Sequence, residues 1–120
     1  MKKSILLCDD DPDILELCKY IIMQEGFEAK TFSNGNDAIK EAMHSPPDLI
    51  LLDIWMPGLS GIEVTKFLKQ QAETNKIPII LFSANNEIDQ ITAEVKADGF
   101  IRKPFNTFDL KSTIKKHLNL

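Results

Sequence analysis

The chain has 120 residues, of which 43% are hydrophobic and 27% are charged, and its formal net charge is −4. This length and composition predict one globular domain, 1–120, and exclude a disordered or fibrous protein. The acidic balance gives no electrostatic reason to expect nucleic-acid binding, which normally shows as a basic patch or stripe.

Five short runs of apolar residues, each bounded by polar or turn-forming residues, are typical of buried strands. In chain order the predicted strands are 4–8, 27–32, 49–53, 77–83 and 100–102. The first, third and fourth are the most apolar, so we expect them at the centre of a parallel sheet. The second is more polar and is expected near an edge.

Segments with helical periodicity separate and follow these strands. In chain order the predicted helices are 12–25, 37–44, 61–74, 87–95 and 107–118. Asp11 is the expected N-cap of the first helix, and Gly26 is expected to end it. Ser60 and Glu63 form the pattern of a capping box at the start of the third helix.

Strands that alternate with helices through short connections predict an α/β fold. We expect a doubly wound five-stranded parallel sheet with five flanking helices. The flavodoxin-like strand order 2-1-3-4-5 fits the ranking of the strands by apolarity. This order places the C-terminal ends of the first and third strands side by side, where ligands of such sheets bind.

The sequence shows no sign of a membrane segment or of disulfide bonding. No run approaches the roughly 18 apolar residues that cross a bilayer, and the first apolar run is too short for a signal peptide. Cys8 and Cys18 lie in apolar surroundings without a C-x-x-C spacing. We therefore expect buried free thiols and a cytoplasmic location.

Polar residues stand at the ends of the predicted strands. Asp9 and Asp10 follow the first strand, Asp53 ends the third, Ser83 ends the fourth and Lys103 follows the fifth. Converging carboxylates repel one another, by about 4 kcal/mol for a pair at ~4 Å near a protein surface. A divalent cation removes this repulsion, and oxygen ligands without His or Cys suit Mg²⁺, which also binds phosphate oxygens.

With these residues in place, the chain resembles the CheY-like receiver domain of two-component response regulators. The matching motifs keep the family's order and spacing and cover the whole chain. They are Asp9-Asp10, Asp53 with Met56-Pro57-Gly58, Ser83-Ala84 and Lys103-Pro104-Phe105.

The resemblance implies a phosphoryl-transfer role for the site. Asp53 matches the phosphoacceptor, which takes a phosphoryl group from a sensor histidine kinase, a phosphotransfer protein or a small acyl phosphate. Ser83 and Lys103 match the hydroxyl and the cation that bind the phosphoryl oxygens. The family catalyses only its own phosphorylation and dephosphorylation.

The resemblance also implies the ligands of the Mg²⁺ ion. Asp10 matches the principal ligand, and Asp9 acts mostly through water. Asp53 and the backbone carbonyl of Trp55 are the further ligands. The peptide bond between Lys103 and Pro104 is expected to be cis.

Phosphorylation in the family alters the face formed by the fourth helix, the fifth strand and the fifth helix. That face binds a downstream protein, whose identity the sequence does not give. Ser83 and Phe100 match the switch residues, although Phe100 lacks the phenol oxygen that is common at its position. Lys96, Asp98 and Arg102 resemble parts of a dimer surface, so weak self-association is a further expectation.

Three other interpretations are open. A receiver-like scaffold would bind its partner without phosphorylation. A haloacid-dehalogenase-like aspartyl-phosphate phosphatase would need a second acid two residues after the nucleophile, where this chain has Trp55. A flavodoxin-like nucleotide binder would need a phosphate cradle after the first strand, where the acids 9–11 would repel phosphate.

Overall fold

A computed structural model describes residues 2–120, which form a five-stranded parallel sheet flanked by helices. The strands are β1 (Ser4–Cys8), β2 (Glu28–Phe32), β3 (Leu49–Asp53), β4 (Ile79–Ser83) and β5 (Gly99–Arg102). They are ordered β2-β1-β3-β4-β5, which confirms the predicted fold class and strand order. The three most apolar strands occupy the centre of the sheet.

The helices also follow the predicted alternation. They are α1 (Pro12–Gln24), α2 (Gly35–His44), α3 (Gly61–Lys69), α4 (Ile88–Glu94) and α5 (Thr107–His117). Asp11 caps α1 by accepting a hydrogen bond from the Asp13 N–H, and Ser60 with Glu63 forms the predicted capping box of α3. None of the helices within residues 2–120 has the length and apolar character needed to cross a membrane.

The core lies in two layers, one on each face of the sheet. Alternate residues of each central strand point to opposite layers, as Leu51 and Leu52 of β3 do. Helices α2, α3 and α4 cover the layer that contains Leu52, and α1 and α5 cover the layer that contains Leu51. Burial on both faces explains why these strands are apolar throughout instead of alternating with polar residues.

The predicted end of the third helix was wrong by five residues and the predicted start of the fourth strand by two. The third helix ends at Lys69 and not near Asn75, because 70–76 form turns in which the Thr74 hydroxyl donates to the Leu68 carbonyl at 2.6 Å. The fourth strand begins at Ile79, whose N–H donates to the side chain of Asp98 at 2.8 Å.

Helical spacing from the sequence places Leu17 on the apolar face of α1 and Phe67 on that of α3, and both placements were wrong. Leu17 of α1 and Phe67 of α3 are exposed, whereas Val64, Thr65 and Leu68 form the buried face of α3. A spacing of three or four residues places Leu68 on the same side as Val64 and Thr65, and Phe67 lies to the side of that face. Cys8 and Cys18 are free and buried, as predicted.

Candidate functional site

The C-terminal ends of β1 and β3 bring three carboxylates together. Asp9, Asp10 and Asp53 each place one carboxylate oxygen within 4.8 Å of the other two. β1 and β3 are neighbours, with Cys8 opposite Leu52, so the residues that follow each strand meet at one edge of the sheet. Asp9 is fully buried and Asp53 is only 5% exposed, whereas Asp10 is exposed to solvent.

Lys103 reaches this cluster from the end of β5. Its Nζ donates to Asp9 Oδ2 at 2.9 Å and to Asp53 Oδ1 at 3.3 Å, and it lies 5.0 Å from the centre of the Phe82 ring. The Lys103 backbone N–H donates to the Ser83 carbonyl at 3.0 Å, which fixes the base of the side chain. The Lys103–Pro104 bond is cis, as the family resemblance implies.

Burial and charge alter proton binding at this cluster. Burial, followed by the negative charge of Asp9, raises the pKa of Asp53 to about 6, although Lys103 acts in the opposite direction. Burial opposes the charge on Lys103, but its hydrogen bond to Asp9 and the charges of both carboxylates outweigh that effect and raise its pKa. The metal-free site therefore holds Asp53 in an unfavourable ionised state at neutral pH.

This raised pKa predicts a pH dependence of stability. The folded Asp53 binds its proton more tightly than the unfolded one, so its contribution to the free energy of unfolding falls as pH rises from ~4 to ~6 and then stays low. The fall is at most about 3 kcal/mol. Urea unfolding in EDTA from pH 4 to 8 should therefore show Asp53→Asn gaining stability relative to wild type as pH rises through this window. A difference that does not vary with pH would contradict this assignment.

Ser83 lies at the end of β4, next to the cluster. It is buried, and its Oγ accepts a hydrogen bond from the Asn85 N–H at 3.0 Å. The Asn85 side chain in turn accepts from the Glu87 N–H at 2.7 Å, just before α4. Because its oxygen takes the bond from Asn85, the Ser83 hydroxyl retains a proton that it can donate elsewhere.

Sequence reasoning missed Asn85 and Gly61. Gly61 is the first residue of α3, and its N–H donates to the Ile54 carbonyl at 2.8 Å. A Cβ at this position would collide with the Asp53 backbone oxygen and lie 2.9 Å from the Ile54 Cα. The sequence patterns that could have pointed to them are an Asn two residues after Ser83 and a Gly directly after a capping Ser. Both patterns are common in turns that belong to no functional site.

Two aromatic residues named from the sequence point away from the core. Phe100 is exposed on β5, and the guanidinium carbon of Arg102 lies 5.4 Å from the centre of its ring. Arg102 also approaches Asp89 of α4 at 3.8 Å. Trp55 follows β3 by two residues and is 56% exposed.

The chemistry of the cluster fits a hard divalent cation. All of its donors are carboxylate oxygens, close enough together for one ion to contact all three residues. Burial, and after it the charge of Asp9, raises the pKa of Asp53 despite the nearby Lys103, so a bound cation would favour the ionised form of this carboxyl. Mg²⁺ is bound by one or two carboxylates together with water and phosphate oxygens, which suits a cluster with one exposed member.

Comparison with known proteins gives the same family by sequence and by structure. The family model of the response regulator receiver domain matches residues 5–115. The alkaline phosphatase synthesis transcriptional regulatory protein PhoP of Bacillus subtilis is 38% identical over 117 residues, which are 96% of this chain and 48% of that protein. The chain thus spans about half the length of this relative.

Solved structures agree with this relationship. The chemotaxis response regulator CheY4 of Vibrio cholerae is 27% identical and has a TM-score of 0.92, with 98% of this chain and 99% of that chain covered. The signal receiver domain of a signal transduction histidine kinase from Syntrophus aciditrophicus is 31% identical with a TM-score of 0.89, and the coverage is 98% and 90%. Receiver domains are signalling modules of two-component systems that generally bind Mg²⁺ at an acidic pocket. The family match, together with the acidic cluster at the sheet edge, shows that this chain belongs to the response regulator receiver domain family.

Proposed function

We propose that 1–120 form one receiver domain in which Asp53 accepts a phosphoryl group in a Mg²⁺-dependent reaction. The donor is a sensor histidine kinase, a phosphotransfer protein or a small acyl phosphate. The observation that carries this proposal is the contact of one cation, Lys103, with the two buried carboxylates of Asp9 and Asp53. This arrangement presents a nucleophile and a phosphate-binding cation at one point.

The residues have distinct parts in the proposed transfer. An Asp53 oxygen attacks phosphorus and forms an acyl phosphate, while the bond to the donor breaks. Lys103 Nζ lies 3.3 Å from Asp53 Oδ1 and is placed to donate to a phosphoryl oxygen. Ser83 follows Phe82, the register partner of Asp53 on β4, so its hydroxyl can donate to a second phosphoryl oxygen.

Asp9, Asp10, Asp53 and the Trp55 carbonyl would hold the Mg²⁺ ion. When bound, the ion supplies positive charge to the phosphoryl oxygens and relieves the repulsion among the three carboxylates. Asp9 has a second part, because its bond to Lys103 holds the ammonium group beside Asp53.

Ser83 connects the site to the start of α4. When the Ser83 hydroxyl moves toward a phosphoryl oxygen, its bond to Asn85 and the bond from Asn85 to Glu87 connect that movement to the start of α4. We propose that the face of α4, β5 and α5, including Phe100, then binds a downstream partner of unknown identity. No direct contact with nucleic acid or membrane is part of the proposal.

A cytoplasmic location and weak self-association complete the proposal. Two buried free cysteines support the location. Self-association through Lys96, Asp98 and Arg102 has weaker support, because Asp98 is already bound within the chain. Its carboxylate accepts from Lys69 Nζ at 2.7 Å and from the Ile79 N–H at 2.8 Å.

Phosphoryl uptake tests the proposal directly. Incubation of the protein with acetyl phosphate and Mg²⁺ should add the mass of one phosphoryl group, and EDTA should prevent the addition. Asp53→Asn should add none, whereas Asp13→Asn, an exposed acid in the first turn of α1, should behave as wild type. An unchanged wild-type mass at saturating donor would favour the scaffold interpretation.

A further inference from the structure

The ammonium group of Lys103 lies over the ring of Phe82. Its Nζ is 5.0 Å from the centre of that ring. A cation within about 6 Å of an aromatic centre is attracted by the negative π face, and the attraction grows when water is excluded. Phe82 is only 1% exposed and the Lys103 side chain 21% exposed, so this contact is largely shielded from solvent.

The sheet places Phe82 between the proposed nucleophile and the cation. Phe82 is the register partner of Asp53 on β3 and of Ile101 on β5. Partners in neighbouring strands lie about 4.8 Å apart and project to the same face of the sheet. Lys103 follows Ile101 by two residues and therefore projects to that face as well. The ring thus forms the floor between Asp53 and Lys103.

The position of the ring is fixed by its surroundings. Phe105 packs against Phe82 edge to face, with the ring centres 6.2 Å apart and the planes at 66°. The Phe82 carbonyl accepts a hydrogen bond from the Ile54 N–H at 3.3 Å. A large ring in a close-packed interior has no space into which it can turn away. Its π face is therefore a fixed reference point for the ammonium group.

The ring differs from the other groups that attract this ammonium. Of the three that the structure describes in residues 2–120, two are the carboxylates of Asp9 and Asp53, which would also hold Mg²⁺. A bound ion would draw their negative charge away from Lys103. The Phe82 ring is uncharged and is no ligand for a hard cation, so its contact with the ammonium would persist.

We propose that Phe82 is a positioning residue whose π face holds the Lys103 ammonium in place for the incoming phosphoryl group. This inference rests on the proposed phosphorylation of Asp53. In that transfer an Asp53 oxygen forms the bond to phosphorus, and the bond to the donor breaks with its electron pair going to the leaving group. Lys103 donates to a phosphoryl oxygen, and Phe82 acts only through Lys103.

Ring fluorination tests the π face with little change in size. Fluorine withdraws electron density from the ring and weakens its attraction for a cation, whereas truncation to leucine would also leave a cavity in the core. Phe82 would be replaced by para-fluorophenylalanine and by a phenylalanine with three ring fluorines, each in wild type and in Lys103→Met. The same replacements of Phe27, which is 7% exposed in the same core layer, are the matched control.

Two measurements are made on each protein. The first is the rate constant of mass addition with acetyl phosphate and Mg²⁺, and the second is the equilibrium constant of urea unfolding in EDTA. Three fluorines on Phe82 should lower the rate constant and raise the unfolding constant by about two- to tenfold, the effect of losing one cation–π contact. One fluorine should have a smaller effect in the same direction.

Both effects should fall below about twofold in Lys103→Met, because the cation is then absent. Fluorination of Phe27 should have the same small effect whether or not Lys103 is present. A loss at Phe82 that is equally large in Lys103→Met would show a packing role alone and overturn the inference, as would the absence of any loss. A wild type that takes up no phosphoryl group is a different result, because it overturns the proposed phosphorylation and this inference with it.

Discussion

Lys103→Met is expected to destabilise the metal-free protein by about 2–4 kcal/mol at pH 8 and to slow phosphorylation by about 10²–10³-fold. Lys103 is the shared partner of two buried carboxylates, so its removal leaves Asp9 and Asp53 as uncompensated buried charges. The stability loss is smaller than for a fully buried pair because the Lys103 side chain is 21% exposed. The rate falls because no ammonium group then offsets the charge of the phosphoryl oxygens.

Urea unfolding in EDTA measures the first effect, and the rate of mass addition with acetyl phosphate and Mg²⁺ measures the second. Lys111→Met is the matched control. Lys111 contacts Glu25 at 3.3 Å on the surface, where Lys115 also contacts Glu25 at 2.8 Å. Its loss should cost less than about 0.5 kcal/mol. Equal stability losses in the two variants would show that the buried contacts of Lys103 contribute no more to the free energy of unfolding than a surface ion pair does.

Gly61→Ala is expected to lower the free energy of unfolding by about 2–4 kcal/mol, at or above the usual cost of overpacking. The added Cβ would collide with backbone atoms of Asp53 and Ile54. Backbone atoms cannot relieve the collision by changing rotamer, as a side chain can. The collision would displace the segment that carries Asp53, the proposed nucleophile, so phosphoryl uptake should also slow. Urea unfolding and the rate of mass addition measure the two effects.

Gly26→Ala is the control that distinguishes a steric collision from the strain of placing a side chain on a left-handed backbone. Gly26 has φ +87°, and a Cβ there would meet nothing within 4 Å. Its substitution should cost only the strain of a left-handed residue, about 1–2 kcal/mol, without slowing phosphorylation. Normal phosphorylation and stability in Gly61→Ala would show that the helix start shifts freely away from β3.

The strands and their order in the sheet could be predicted from the sequence because a strand buried on both faces is apolar throughout. Leu49 to Leu52 are apolar without interruption for that reason, and strand order followed from ranking such runs. The acids were also predictable as neighbours, because parallel strands all end at one edge of a sheet. Local capping at Asp11 and Ser60 was predictable because a cap depends on residues two or three positions apart.

Features that depend on the folded arrangement of turns and helices were harder to predict. Nothing in the run 70–76 indicates that the third helix ends before it or that the Thr74 hydroxyl bonds to the Leu68 carbonyl. The exposure of Phe67 depends on which side of α3 meets the sheet, and small shifts in helix rotation decide it. The close approach of Gly61 to Asp53 is a property of the folded loop and has no local pattern.

The bond between Lys103 and Asp9 joins positions 94 residues apart. Closing a loop of that length carries a large entropic cost, and contacts of such high sequence separation are expected late in folding. During synthesis the three acids emerge well before Lys103, so the growing chain holds a cluster of negative charge without its cation. The proposed phosphoacceptor site is therefore completed only when β5 joins the sheet, and a chain that stops before β5 would hold Asp53 without the cation that the proposed transfer needs.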